Sequence, residues 1–69
     1  MNLCNRLKEI RLQKNFTQQS LANAVGVTRQ TIIAIEKAKF GPSVKLGLQL
    51  ALVLDVSLEE IFWLEDNKG

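Results

Sequence analysis

The chain has 69 residues, of which 46% are hydrophobic and 23% charged, with a net charge of +2, no histidine and one cysteine, Cys4. A chain of this length has room for one core, buries only about 60% of its unfolded surface, and gains stability by regular packing or by association. The lone cysteine excludes an internal disulfide and a thiolate metal cluster and fits a reducing cytoplasm, the expected location.

The charge is unevenly spread. Residues 1–45 carry eight basic side chains against Glu9 and Glu36, a net of +6, and residues 46–69 carry Lys68 against five acids, a net of −4. A basic front half points to a polyanionic partner. The opening MNLCNRLKEI has no continuous apolar segment of the kind a secretory leader needs. The most apolar stretch, VKLGLQLALVLDV, is too short and too interrupted to span a bilayer.

In chain order the pattern predicts five helices, no strands and a single all-α domain over residues 1–69. The first, about 2–14, has Leu3, Leu7 and Ile10 at helical spacing, and Asn15 ends it in a left-handed conformation. Thr17 caps a second helix over 18–25, closed by Gly26, and Thr28 caps a third over 29–38. Lys39-Phe40-Gly41-Pro42 is a loop, because proline cannot extend a helix and disfavours helical geometry before it. Ser43 caps a fourth helix over 44–54, and Ser57 a fifth over 58–64, whose SLEE start places acids where the helix dipole favours them. Every connection is short, so the helices pack as a compact bundle.

The stretch AVGVTRQTI breaks one amphipathic pattern and restarts it three residues later. Two short helices joined by a glycine turn make the helix-turn-helix plan. Its packing slots are filled: Ala22 where the helices cross, Gly26 for a positive φ, and Leu21, Val25, Val27, Ile32 and Ile35 as the apolar wedge.

With these slots in order, residues 6–62 resemble the Cro/C1-type (Xre-like) helix-turn-helix family of small bacterial and phage transcriptional regulators. FTQQSLA, VGVTRQTI, IEKAKFGPS and DVSLEEIF carry the likeness. The resemblance implies a compact five-helix bundle of the lambda-repressor-like type, dimeric operator binding and control of transcription.

In that geometry the third helix enters the major groove with its N-terminal residues toward the bases. Arg29 suits guanine O6 and N7, Gln30 suits adenine N6 and N7, and Thr31 suits a thymine methyl. Ala34, one turn on, offers apolar contact only. An arginine at a helix start opposes the dipole, which favours a functional reason for Arg29. Gln18, at the start of the second helix, is placed to hold a phosphate, with Thr17 and Thr28 as caps first and backbone contacts second. The resemblance implies that Lys37 and Lys39 run along the sugar-phosphate backbone. It also implies an ion pair between Arg11 and Glu36, a structural clamp between the first and third helices.

The chain departs from the family in two places. Ile33 stands where a polar outward residue is usual, and is either thymine-facing, partner-facing or simply tolerated. The fourth helix is apolar on nearly every side, and Trp63 and Leu64 extend the apolar run of the fifth. An all-round apolar helix has to be covered. A homodimer interface is therefore expected on Leu46, Leu48, Leu52, Val53, Trp63 and Leu64.

Double-stranded DNA is the partner these readings favour, with no cofactor, metal, membrane or small-molecule ligand. A protein-interaction module, such as an antitoxin or adaptor gripping another protein with its apolar C-terminal helices, is the alternative. The intact Arg-Gln-Thr with its flanking lysines separates the two, since an adaptor has no use for it. An enzyme fits worst: no histidine, metal-ligand cluster or glycine-rich phosphate loop supplies a catalytic site.

Overall fold

A computed structural model describes residues 1–66. Their order is β1 (Asn2–Asn5), α1 (Leu7–Gln13), α2 (Gln18–Val25), α3 (Arg29–Glu36), α4 (Val44–Leu54), α5 (Leu58–Ile61) and β2 (Phe62–Glu65). Five helices are present, but the all-α expectation needs a correction. The two ends pair as an antiparallel two-stranded sheet, with Asn2 opposite Glu65 and Asn5 opposite Phe62.

The strands exist because both flanking helices stop short. The Asn5 side chain accepts a hydrogen bond from the Leu7 N–H at 3.1 Å, so helical geometry begins at Leu7 and not at residue 2. At the other end, Phe62 leaves helical space (φ −125°, ψ 142°), and its β-favouring run FWLE goes on extended to Glu65, not as helix to 64. The Arg6 N–H donates to the Ile61 carbonyl at 3.0 Å and continues the ladder to the helix ends.

Polar side chains set the remaining boundaries. Thr17 and Ser20 bond each other's backbone N–H groups at 2.9 Å, a reciprocal cap on α2. Thr28 accepts from Thr31 N–H at 3.3 Å and Ser43 from Leu46 N–H at 3.1 Å. Glu60 reaches back to the Ser57 N–H at 2.7 Å. Asn15 and Gly26 turn left-handed after their helices, with φ of 65° and 74°. Ala38 (φ 58°) and Asp55 (φ 57°) do the same without glycine. A left-handed Ala38 cannot be helical, which is why α3 ends at Glu36 and not at residue 38.

Each helix sends at least one fully enclosed side chain into a common core, among them Leu7, Leu21, Ile32, Leu50 and Ile61. Burying a side chain of this size stabilises the fold by about 1.5–3 kcal/mol each. Ala22 is fully buried, and the Val27 N–H closes the turn onto its carbonyl at 3.0 Å. That turn fixes the angle between α2 and α3, and so the direction in which α3 presents its first residues.

Candidate nucleic-acid interface

The start of α3 stands clear of the core. Arg29 and Gln30 are exposed, while Thr31 and Ala34 are half-buried on the same helix. The Thr31 hydroxyl lies 3.2 Å from that of Thr28, so the capping pair occupies the polar end of the side chain and the methyl is what remains to present. Lys37 and Lys39 are exposed on the segment leaving α3. Ile33 is half-buried.

Behind this surface runs a chain of polar contacts. Arg11 is buried, and its Nε donates to Glu36 Oε2 at 2.6 Å. Its Nη1 donates to the Phe16 carbonyl at 3.0 Å, tying the end of α1 to the segment before α2. Glu36 Oε1 accepts from Gln18 Nε2 at 3.2 Å, and Gln18 Oε1 accepts from Arg29 Nε at 3.3 Å. Because a carboxylate only accepts, Glu36 forces the Gln18 amide to turn its carbonyl toward Arg29. Among the described residues no buried side-chain nitrogen or oxygen lacks a partner.

Both ends of the Gln18 side-chain amide are engaged inside the protein, the nitrogen by Glu36 and the oxygen by Arg29. Among the described residues, the two terminal nitrogens of the exposed Arg29 guanidinium take no hydrogen-bond partner. Thr17 and Thr28 are exposed caps beside the same face.

The apolar surface lies elsewhere. Leu52 is 81% exposed, Leu64 63% and Leu48 54%, while Val53 and Trp63 are half-buried. Leu46 is a correction: it is only 7% exposed and belongs to the core, because the buried face of α4 runs through Leu46, Leu50 and Leu54 at helical spacing. Trp63 is already engaged, with the Arg6 guanidinium 4.7 Å above its ring and its Nε1 donating to Glu65 at 3.0 Å. On a strand, Trp63 and Leu64 point to opposite faces. Cys4 lies opposite Trp63, and its thiol is held above the ordinary range by partial burial and by the Glu65 carboxylate, which leaves it a poor nucleophile. The described residues contain no group of three or more side chains arranged to hold a metal ion, and no helix among them is long and apolar enough to cross a membrane.

A family model described as helix-turn-helix matches residues 7–61. The chain belongs to the Cro/C1-type helix-turn-helix family. Within it, the chain is 50% identical over 64 residues to an uncharacterized HTH-type transcriptional regulator, MJ0272, of Methanocaldococcus jannaschii, covering 93% of this chain and 97% of that one. It is 42% identical over 63 residues to another, YgzD of Bacillus subtilis, covering 91% and 96%. Among solved structures, the restriction-modification controller protein C.AhdI of Aeromonas hydrophila superposes with a TM-score of 0.73 at 31% identity, over 78% of each chain. A putative DNA-binding protein of Bacteroides fragilis gives a TM-score of 0.80 at 27% identity, over 87% of this chain and 97% of that one. The span of the family model takes in all five helices.

Proposed function

We propose that this member of the Cro/C1-type family is a cytoplasmic regulator of transcription that binds double-stranded DNA sequence-specifically, as a homodimer, with α3 in the major groove. The observation that carries the reading is Arg29, exposed at the start of α3 with its Nε held by Gln18 and its terminal nitrogens free. Gln30, Thr31 and Ala34 continue the base-reading row, and Thr17, Thr28, Lys37, Lys39 and the N-terminus of α2 flank it toward the phosphates. The names of the relatives, transcriptional regulators and a controller protein, support the same reading.

Dimerisation follows from information content. One recognition helix reads only a few base pairs, too few to single out a site among a genome's competitors. Two such helices about 34–36 Å apart on one face of the duplex solve this, and need a two-fold axis away from α3. Exposed Leu48 and Leu52 and half-buried Val53 on α4, continued by one face of β2 (Trp63 or Leu64), supply apolar surface for that axis. An adaptor or antitoxin would use the same apolar face, but would leave the braced Arg29 without a purpose.

Selection from random duplex DNA tests the proposal. Enrichment of a two-fold symmetric site with a constant half-site spacing supports it; recovery of no preferred sequence overturns it.

A further inference from the structure

Asn5 makes two hydrogen bonds with opposite ends of one amide. Its Oδ1 accepts from the Leu7 N–H at 3.1 Å, and its Nδ2 donates to the Ile35 carbonyl, in the last turn of α3, at 2.9 Å. Among the described residues this is the one hydrogen bond that joins residues 1–5 to residues 28–43. Beside it a cleft of about 540 Å³ separates β1 from the segment leaving α3, lined by Leu3, Cys4, Lys37, Ala38 and Phe40 among others.

Neither local structure nor carbonyl satisfaction demands the second bond. The Ile35 carbonyl already accepts from the Ala38 N–H at 2.9 Å, which closes the helix end. An aspartate or serine at position 5 would receive the Leu7 N–H as well, and the strand ladder uses only the backbone of this residue. What an asparagine adds is the donor, and here the donor reaches the recognition helix.

The bond is also well placed. Immediately after Ile35 and Glu36 the chain turns through Ala38 at φ 58°, a conformation that disfavours any residue with a Cβ, and then carries Lys39 outward. This strained exit has open space on its β1 side, and Asn5 lines that cleft with its amide bonded to the Ile35 carbonyl. We propose that Asn5 is a positioning residue for DNA recognition. It ties the terminal sheet to the end of α3 and so sets together the pose of the base-reading row and of Lys37 and Lys39. The inference rests on the DNA-binding reading above.

The test compares wild type with Asn5→Asp, which keeps the acceptor for Leu7 and loses the donor to Ile35, and with Asn5→Ala, which loses both. Each is titrated with the duplex selected from random DNA and with a scrambled duplex of equal length. The expected result is a loss of about fivefold or more on the selected duplex for both variants, the scale of one hydrogen bond, with little change on the scrambled one. Equal losses on both duplexes, or none, overturn the proposal. Amide hydrogen exchange adds a second reading: in Asn5→Asp it should rise at Ala38 and Lys39 and stay unchanged in α2. A uniform rise would make Asn5 a general structural residue.

The side-chain amide resonances of Asn5 in the wild type supply a measurement that no folding failure can spoil. They should shift on adding the selected duplex and not the scrambled one; unchanged resonances sink the assignment. A wild type that binds neither duplex would instead refute the DNA-binding reading itself, so the two failures are distinguishable.

Discussion

Gln18 and Arg29 meet across the turn between α2 and α3, Oε1 to Nε at 3.3 Å, and Glu36 fixes which way the glutamine faces. Under the proposed reading, Arg29 is thereby held before DNA arrives, which lowers the rotamer entropy lost on binding. Arg29→Ala is expected to lose about 1–3 kcal/mol on the preferred site and to relax choice at one base pair. Lys39→Ala should weaken all sequences alike and reduce the salt slope by about one unit. Titrations on selected and random duplexes at several salt concentrations check both, and equal losses on the two duplexes for Arg29→Ala would remove it from the base-reading row.

The Arg11–Glu36 pair is buried, with side chains 7% and 6% exposed. Removing one partner strands the other charge in the interior, and Arg11→Met should destabilise the fold by about 3–5 kcal/mol in denaturant unfolding. Replacing both, as Arg11→Met with Glu36→Leu, should recover most of that loss. It should not recover specific DNA binding, because Gln18 then has nothing to orient it. A double variant that is both stable and fully specific would show that the network is dispensable to recognition.

Gly26 has φ 74° and open space where a Cβ would sit. Crowding therefore contributes nothing at this position, and any penalty comes from the backbone alone. Gly26→Val is expected to destabilise the domain by more than about 1 kcal/mol, since a β-branched residue at positive φ is strained. Thermal unfolding with an unchanged midpoint would contradict this.

The helix-turn-helix was legible in the sequence because its signals are local. Thr17, Gly26, Thr28 and Ser43 mark boundaries within a few residues of the groups they bond, and α2 and α4 begin and end where the pattern places them. The terminal sheet was not legible. Leu3 sits at helical spacing from Leu7 and Ile10, Trp63 and Leu64 continue an apolar run, and strands of four residues are too short to show a period of two. The same holds at the site. Arg29, Gln30 and Thr31 announce themselves by their place at a helix start, whereas the partners of Gln18 and Asn5 lie 18 and 30 residues away, with no local trace. Leu46 was misplaced because an almost wholly apolar helix does not reveal which side faces inward.

Leu52 and Trp63 are expected to anchor the dimer, Leu52 as the most exposed large hydrophobic side chain of α4 and Trp63 as the largest near the patch. Sedimentation of the wild type and of Leu52→Glu with Trp63→Ala decides this. A monomeric wild type at about micromolar concentration, where an interface of ordinary strength holds, or a double variant that still dimerises, refutes the interface.

The Glu60 carboxyl is held below the ordinary carboxylate range, first by the backbone N–H of Ser57, then by that residue's hydroxyl, with Lys14 and Arg6 adding smaller attractions. A group whose folded value is depressed contributes stability above the unfolded glutamate pKa and loses it as pH falls through the lowered folded value. Stability should therefore decline on the acid side, and Glu60→Gln should flatten that limb in unfolding measured from neutral to strongly acid pH. An identical acid limb in the variant would assign the decline to other carboxylates.

The pairing of Asn2 with Glu65 also orders events during synthesis. Among the described residues β1 precedes every helix and β2 follows them, so synthesis delivers β1 before α1 to α5 and its partner strand after them. Helices α1 to α4 can collapse on their shared apolar faces while β1 is still a loose end, because their contacts lie closer along the chain. A nascent chain is thus expected to form α3 before the sheet that Asn5 joins to it, and chains interrupted ahead of residue 62 to display α3 on a frame that has not yet been closed.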